Sequence, residues 1–235
     1  MSQPTAPAPI RVALVDDQEL LRRGFKMVID SQPDLEVVAE AANGNDAIQT
    51  LLATRVDVVL MDVRMPQLDG IEATKRLLAE QQAGRIADLK IVVLTTFDID
   101  EYALAAIKAG ASGFLLKDAP PEELLDAIRT VYRGDAVIAP STTRRLLEHV
   151  APLITVEKDS SGAPSPLERL TERELEVMKE IAQGLSNSEI AAKFFLSEAT
   201  IKTHVGRILS KLEVRDRVQA VVLAYEQGLV KPGSP

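Results

Sequence analysis

The stretch of sequence that most constrains the fold covers residues 56–70 and reads VDVVLMDVRMPQLDG. It opens with an apolar, β-branched run, stops on the carboxylate of Asp62, and continues into a turn-like segment with Pro66 and Gly70. A continuous apolar run of this length is typical of a strand buried on both faces of a parallel sheet. Open α/β sheets bind their ligands at the carboxyl ends of such strands. Asp62 is therefore either a ligand-binding acid or an ordinary strand-end acid or helix cap.

Short apolar strands alternate with segments of helical spacing over residues 10–135. Each strand is followed by apolar residues placed as on one face of a helix, and the helix predicted over residues 99–109 is closed by Gly110. Five such units with right-handed crossovers predict an α/β fold with a doubly wound five-stranded parallel sheet. The predicted strands cover residues 10–15, 35–39, 56–61, 89–94 and 112–116.

Polar side chains stand where these strands end. Asp16 and Asp17 follow the first strand, Asp62 ends the third, Thr95 follows the fourth, and Lys117 follows the fifth. Because parallel strands end at one edge of the sheet, three carboxylates, a hydroxyl and an ammonium should converge there. A divalent cation would relieve the repulsion between the carboxylates, and such oxygen ligands suit Mg²⁺. In-line attack by one carboxylate on a phosphoryl group would give an acyl phosphate.

Residues 10–135 resemble the receiver domain of two-component response regulators, which has a flavodoxin-like fold. The matching motifs are VDD at 15–17, MDVRMPQLDG at 61–70, LTT at 94–96 and GFLLKD at 113–118.

The resemblance implies a role for each acid. Asp62 would accept a phosphoryl group from a sensor histidine kinase. Asp17, Asp62 and the backbone carbonyl of Arg64 would hold Mg²⁺, and Asp16 would reach the ion through water.

The resemblance also implies a switch. Thr95 and Lys117 would bind the phosphoryl oxygens, and Phe114 would follow Thr95 as it moves toward the phosphate. Many receivers have tyrosine where this chain has Phe114, so a hydroxyl contact is lost here. Many also have proline after the lysine, with a cis bond, whereas Asp118 follows Lys117 in this chain.

The flanking segments and the composition bound the class of protein. Residues 1–9 are predicted to be a disordered tail, and residues 136–166 a linker with a short helix capped near Ser141.

The chain has no cysteine, no secretory signal and no apolar run near the ~18–20 residues of a membrane span. We therefore expect a cytoplasmic protein without a membrane partner. The net charge of −8 falls wholly within residues 1–135.

Residues 167–235 form a helical pattern with strong capping signals. Thr171 and Ser186 each open a capping box, and Ser197 caps a helix predicted over residues 198–212. That helix has one apolar face and a polar, basic opposite face. A short helix, a tight turn and such a second helix predict a helix-turn-helix. The pattern alone leaves open a small helical bundle that binds protein.

Residues 170–212 are similar to the LuxR-type helix-turn-helix, which implies binding of double-stranded DNA. By position, Lys202 and Thr203 are expected at base edges. Gly206 stands where relatives often place a further reading side chain, and His204 is expected to be packed or to face a phosphate. Phosphate or rim contacts are expected from Ser197, Thr200, Arg207 and Lys211.

The last helix and the whole chain complete the resemblance. In this family the last helix mediates dimer contact, so a homodimer reading an inverted repeat is expected. The predicted dimer residues are Val218, Val221, Val222 and Tyr225.

Taken together, the two domains resemble the NarL/FixJ family of response regulators. The implied function is that of a phosphorylation-dependent, DNA-binding transcriptional regulator. It would not be an enzyme beyond catalysing its own phosphorylation and dephosphorylation. Two alternatives are a receiver that acts only through protein contacts, and a phosphatase or phosphotransferase with a helical binding module.

Overall fold

The computed structural model describes residues 8–96, 105–133 and 165–230. The chain divides into two compact units, Met1–Val137 and Ile138–Pro235. The linker helix near Ser141, most of the N-terminal tail and the first part of the helix predicted over 99–109 lie outside the described residues. No helix of the described residues is long and apolar enough to cross a membrane.

A five-stranded parallel sheet organises the first unit, in the strand order β2-β1-β3-β4-β5. This confirms the predicted α/β fold, and the observed strand ends differ from the predicted ones by at most two residues. The strand order reverses between β1 and β3, which is where doubly wound sheets place their ligands. The strands are β1 Ile10–Val15, β2 Leu35–Ala41, β3 Val58–Asp62, β4 Lys90–Thr95 and β5 Gly113–Leu116.

The central strand β3 is buried over its whole length, because β1 and β4 flank it on both edges. Val15 of β1 pairs with Met61, so the next residue of each strand is an aspartate at the same level. Asp62 in turn pairs with Leu94, which precedes Thr95. The register alone therefore brings the ends of three strands to one level of the sheet.

Helices cover the faces of this sheet, and side chains cap the first turns of two of them. The Asn43 side chain accepts a hydrogen bond from the backbone N–H of Asp46, and the Asp69 side chain accepts one from Glu72. Residues 105–108 are also helical, and Gly110 follows at φ +99. The helices are α1 Glu19–Asp30, α2 Gly44–Ala53, α3 Gly70–Gln82 and α4 Pro121–Tyr132.

The second unit is wholly helical in its described part. Both predicted capping boxes are present, from Thr171 to Glu174 and from Ser186 to Glu189. Buried aliphatic side chains from all four α-helices form its core. A 3₁₀ turn, Pro166–Arg169, precedes α5 Glu172–Ala182, α6 Asn187–Phe194, α7 Glu198–Leu212 and α8 Arg217–Glu226.

A tight turn joins α6 to α7. Phe195 adopts the left-handed conformation at φ 55, and the backbone N–H of Leu196 donates to the carbonyl of Ala191 at 2.9 Å. Ser197 then caps α7 by accepting from the backbone N–H of Thr200. The predicted helix-turn-helix is confirmed, with the bounds of α7 as predicted.

Phe195 occupies this turn at an energetic cost, which gives a test of the local structure. Its side chain is 95% exposed and gains little from burial, while a Cβ in the left-handed region is disfavoured. Phe195→Gly should raise the free energy of unfolding of the second unit by about 1 kcal/mol, measured by urea unfolding. Phe195→Ala keeps the Cβ and is the matched control. Equal stability of the two variants would contradict this account of the turn.

Candidate functional site

The carboxyl edge of the sheet gathers three acids. Asp16 and Asp62 are buried, with exposed fractions of 2% and 4%, whereas Asp17 is exposed. One carboxylate oxygen from each lies within 4.8 Å of the other two. This set fits a hard cation such as Mg²⁺, which prefers carboxylate oxygens and leaves part of its coordination to water.

Lys117 lies directly against the two buried acids. Its Nζ is 2.6 Å from Oδ2 of Asp16 and 2.8 Å from Oδ2 of Asp62. Only 5% of its side chain is exposed, so these ion pairs are sheltered from water. Its backbone N–H donates to the carbonyl of Thr95 at 2.8 Å, which fixes Lys117 at the end of β5. The Lys117–Asp118 bond is trans, as are the other peptide bonds of the described residues.

Burial raises the pKa of Asp62, and this effect outweighs the stabilising contacts. The neighbouring charge of Asp16 raises the pKa further. The hydrogen bond from Lys117 lowers it, as does the backbone N–H of Arg64, which donates to Oδ1 at 3.3 Å. Ionised Asp62 is thus only partly compensated, which makes its oxygens good partners for an added cation.

The loop after β3 folds back closely on Asp62. A Cβ at position 70 would overlap the Asp62 carbonyl, so only glycine fits there. The N–H of Gly70 donates to the carbonyl of Val63 at 2.9 Å, and Gln67 takes a positive φ of 67 within the turn. This tight loop holds the backbone of Arg64, the predicted carbonyl ligand, next to the acid.

Thr95 and Phe114 share one face of the sheet. Thr95 pairs with Leu116 and Val93 pairs with Phe114, so the two residues stand two positions apart on neighbouring strands. Thr95 is 6% exposed and Phe114 is 2% exposed. The register therefore places the two predicted switch residues on one face of neighbouring strands.

Arg22 belongs to this region and was missed in the sequence. Its Nη1 donates to the backbone carbonyl of Asp16 at 2.6 Å, and its Nε lies 3.8 Å from Glu40 of β2. The guanidinium therefore fixes the peptide that joins Asp16 to Asp17. In the sequence, Arg22 lies three residues before Phe25 and therefore on the same side of α1, but nothing local indicates the carbonyl that it contacts.

The outer face of α7 shows most of the predicted DNA residues. Ser197, Lys202, Thr203 and Arg207 are exposed, and Thr200 is half-buried. The hydroxyls of Ser197 and Thr200 lie 2.8 Å apart, and that of Thr203 donates to the carbonyl of Ala199 at 3.0 Å. Thr200, Thr203 and Arg207 line a surface depression together with His204 and Ala199.

Lys211 stands apart from these residues, because it is already paired. Its Nζ lies 2.6 Å from Oε2 of Glu174, whose side chain is 5% exposed. The hydrogen bond from Lys211, with that from the Thr171 backbone, lowers the pKa of Glu174 to about 2. In the structure Lys211 joins α7 to the first turn of α5, a role that its place on the basic face did not indicate.

The predicted dimer residues of the last helix differ in their exposure. Val218, Val221 and Tyr225 are at most 9% exposed, and the Tyr225 hydroxyl donates to the carbonyl of Ala182 at 3.4 Å. These side chains pack in the core of their own domain, and their role in a dimer stays a prediction. The half-buried Val222 stays a prediction.

Comparisons with known proteins agree with this geometry. Residues 12–129 match the model for the response regulator receiver domain, and residues 168–224 match that for bacterial regulatory proteins of the luxR family. An uncharacterized transcriptional regulatory protein, YxjL of Bacillus subtilis (strain 168), is 47% identical over 222 residues, covering 94% of this chain and 98% of the relative. The transcriptional regulatory protein LiaR of the same organism is 39% identical over 221 residues, covering 94% and 99%.

A solved structure gives the same class. The crystal structure of a LuxR-family two-component response regulator from Aurantimonas sp. SI85-9A1 is similar with a TM-score of 0.54 and 34% identity, covering 60% of this chain and 97% of that one. Fold, acidic edge and helix-turn-helix thus define a response regulator with a LuxR-type DNA-binding domain. The chain belongs to the NarL/FixJ family and is a transcriptional regulator.

The raised pKa of Asp62 predicts how stability depends on pH. Protonation favours the folded state here, so this contribution is present below the unfolded pKa near 3.8 and is lost as pH rises through the folded pKa. Asp62→Asn should therefore raise the free energy of unfolding at neutral pH, and the gain should shrink on acidification. Urea unfolding across this pH range measures it.

The control for this test is Asp126→Asn, which changes a carboxylate that is 79% exposed. It should leave stability nearly unchanged at each pH. A loss of stability for Asp62→Asn at neutral pH would show that the contacts to Lys117 outweigh burial.

Proposed function

We propose that Asp62 is the phosphoacceptor of this regulator and that its phosphorylation promotes DNA binding through α7. The observation that supports the proposal most is the buried Asp62 carboxylate, held by Lys117 within 2.8 Å and flanked by two further acids. A carboxylate oxygen of Asp62 would attack the phosphorus of a phosphohistidine on the sensor kinase. The new P–O bond forms as the P–N bond breaks, and the imidazole nitrogen takes up a proton.

Metal binding belongs to the same proposal. Asp17, Asp62 and the carbonyl of Arg64 would hold Mg²⁺, with Asp16 reaching it through water, and the spacing of the carboxylate oxygens fits such an ion. When bound, Mg²⁺ would neutralise charge on the transferred phosphoryl group. Arg22 would position the Asp16–Asp17 peptide for this purpose.

Lys117 and Thr95 would stabilise the phosphorylated state. Lys117 would exchange its contact with the Asp62 oxygen for a phosphoryl oxygen and keep its contact with Asp16. The Thr95 hydroxyl would move toward the phosphate, and Phe114 would follow into the vacated space. The aromatic ring would thereby transmit the change to the surface beyond β5 and shift a pre-existing equilibrium between two states.

The output would be the helix-turn-helix. We assign base-edge contacts to Lys202 and Thr203 and phosphate contacts to Ser197, Thr200 and Arg207, whereas Lys211 would mainly hold Glu174. A homodimer would read an inverted repeat, and any contact from α8 would have to use its outer side, where Val222 lies. In this proposal residues 10–135 are the receiver and residues 136–166 the linker.

Labelling with a small acyl-phosphate donor and Mg²⁺ tests the acceptor directly. The wild-type chain should gain one acid-labile phosphate, and Asp62→Asn should gain none because the attacking carboxylate is absent. Asp126→Asn, altered at an exposed acid, should label at the wild-type rate. Labelling of Asp62→Asn at the wild-type rate would show that the acceptor lies elsewhere.

Salt-dependent binding tests the DNA-facing helix. Lys202→Ala should weaken binding to a selected site by about 1–3 kcal/mol, with less effect on random DNA, if Lys202 contacts a base.

Arg207→Ala should weaken binding to the selected site and to random DNA alike, if Arg207 contacts a phosphate. It should also reduce the slope of log affinity against log salt concentration by about 1. Lys179→Ala removes an equal charge from α5 and is the control. Binding that does not respond to salt would contradict a DNA interface here.

A further inference from the structure

Gly206 lies in the middle of α7, where nothing among the described residues requires a glycine. A Cβ added at this position would meet no heavy atom within 4 Å, and the residue does not have a positive φ. Glycine in a helix interior costs about 1 kcal/mol relative to alanine. A side chain at position 206 would therefore stabilise the helix, and the described residues leave room for it. This makes a contact outside the fold the place to look for a role of the glycine.

The missing side chain of Gly206 leaves a gap on the surface of α7, and three neighbouring residues border it. Thr203 and Lys202 precede it by three and four residues, so all three share the exposed face of the helix. The Thr203 hydroxyl already donates to the carbonyl of Ala199, so its methyl group is the part left to contact a ligand. Lys202 and the exposed Arg207 border the gap with positive charge.

We propose that Gly206 and the methyl group of Thr203 form an apolar notch that seats the C5-methyl group of a thymine in the major groove. The inference rests on the proposed DNA-facing role of α7. The thymine methyl is the one major-groove feature that is recognised without a hydrogen bond. A notch without a Cβ lets the backbone approach this methyl closely. Lys202, whose exposed ion pair with Glu198 at 3.5 Å is weak, and Arg207 would make polar contacts beside it.

The notch makes Gly206 a specificity-determining position. Any side chain there would hold the helix away from the base at this step and would remove the preference for thymine. The neighbouring base that Lys202 contacts would be read as before, and Arg207 would keep its phosphate contact. Specificity would thus change at one position of each half-site, and binding to random DNA would be conserved.

The experiment uses full-length phosphorylated protein and a site that it selects from random DNA. In that site each thymine is replaced in turn by deoxyuridine, which removes only the C5-methyl group. The wild-type protein should lose about fourfold in affinity at one thymine of each half-site, as expected for one buried methyl. Gly206→Ala should show no loss at that thymine and should select sites without a preference there.

Gly24→Ala is the matched control. Gly24 lies in α1, and a Cβ there also meets no heavy atom within 4 Å, so this variant gains the same helix propensity away from α7. It should keep the wild-type affinity and the wild-type response to deoxyuridine. Both alanine variants should unfold at a higher urea concentration than the wild type, which shows that they fold.

The outcomes separate this inference from the wider proposal. If Gly206→Ala keeps the wild-type response to deoxyuridine at every thymine, the notch is refuted, although α7 can still be the reading helix. If no thymine matters to the wild-type protein, the notch is refuted as well. If neither Lys202→Ala nor Gly206→Ala changes the selected site, the DNA-facing role of α7 itself is refuted.

Discussion

The contact on which the receiver unit depends is the ammonium of Lys117 between the carboxylates of Asp16 and Asp62. It joins the ends of three strands that are far apart in sequence, and it does so where only 5% of the lysine side chain is exposed. Without this cation two buried carboxylates would face each other in a poorly solvated site. Lys117 offsets part of this negative charge but not all of it, and the pKa of Asp62 remains raised. A site in that condition would gain from a metal ion, which would also offset the negative charge of a phosphoryl group bound there.

The DNA-binding unit uses its charges differently. One of its buried acids, Glu174, accepts a hydrogen bond from the first residue before its own helix and another from Lys211, so this pair connects α5 to α7. The outer face carries polar side chains whose contacts lie within α7 and its cap, among them the pair Ser197 and Thr200 and the pair Lys202 and Glu198. It also carries Gly206, where a Cβ would meet no heavy atom of the described residues within 4 Å. Buried charged groups thus stabilise the fold of this unit, whereas the exposed polar groups of α7 are accessible to a partner.

Much of the fold and of the acidic site could be predicted from the sequence. The spacing of apolar residues indicates which faces are buried, and the residue that ends each parallel strand must lie at one edge of the sheet. The five strands, the capping boxes at Thr171 and Ser186, and the acids at the sheet edge all follow from local patterns. Partners across the fold do not follow from such patterns. From the sequence, a basic residue such as Lys211 is predicted to contact DNA, because the buried acid beside it is distant along the chain. In the same way, the sequence does not show that Val218 and Tyr225 are buried within their own domain. The role of Arg22 follows only from its contact with the backbone carbonyl of Asp16.

The central claim is that chemistry at Asp62 controls DNA binding by α7. The most direct measurement is the affinity of the full-length protein for its selected DNA site before and after phosphorylation, at one salt concentration. The account predicts tighter binding after phosphorylation for the wild-type chain and no change for Asp62→Asn. Equal affinity of the phosphorylated and unphosphorylated wild-type protein would contradict it.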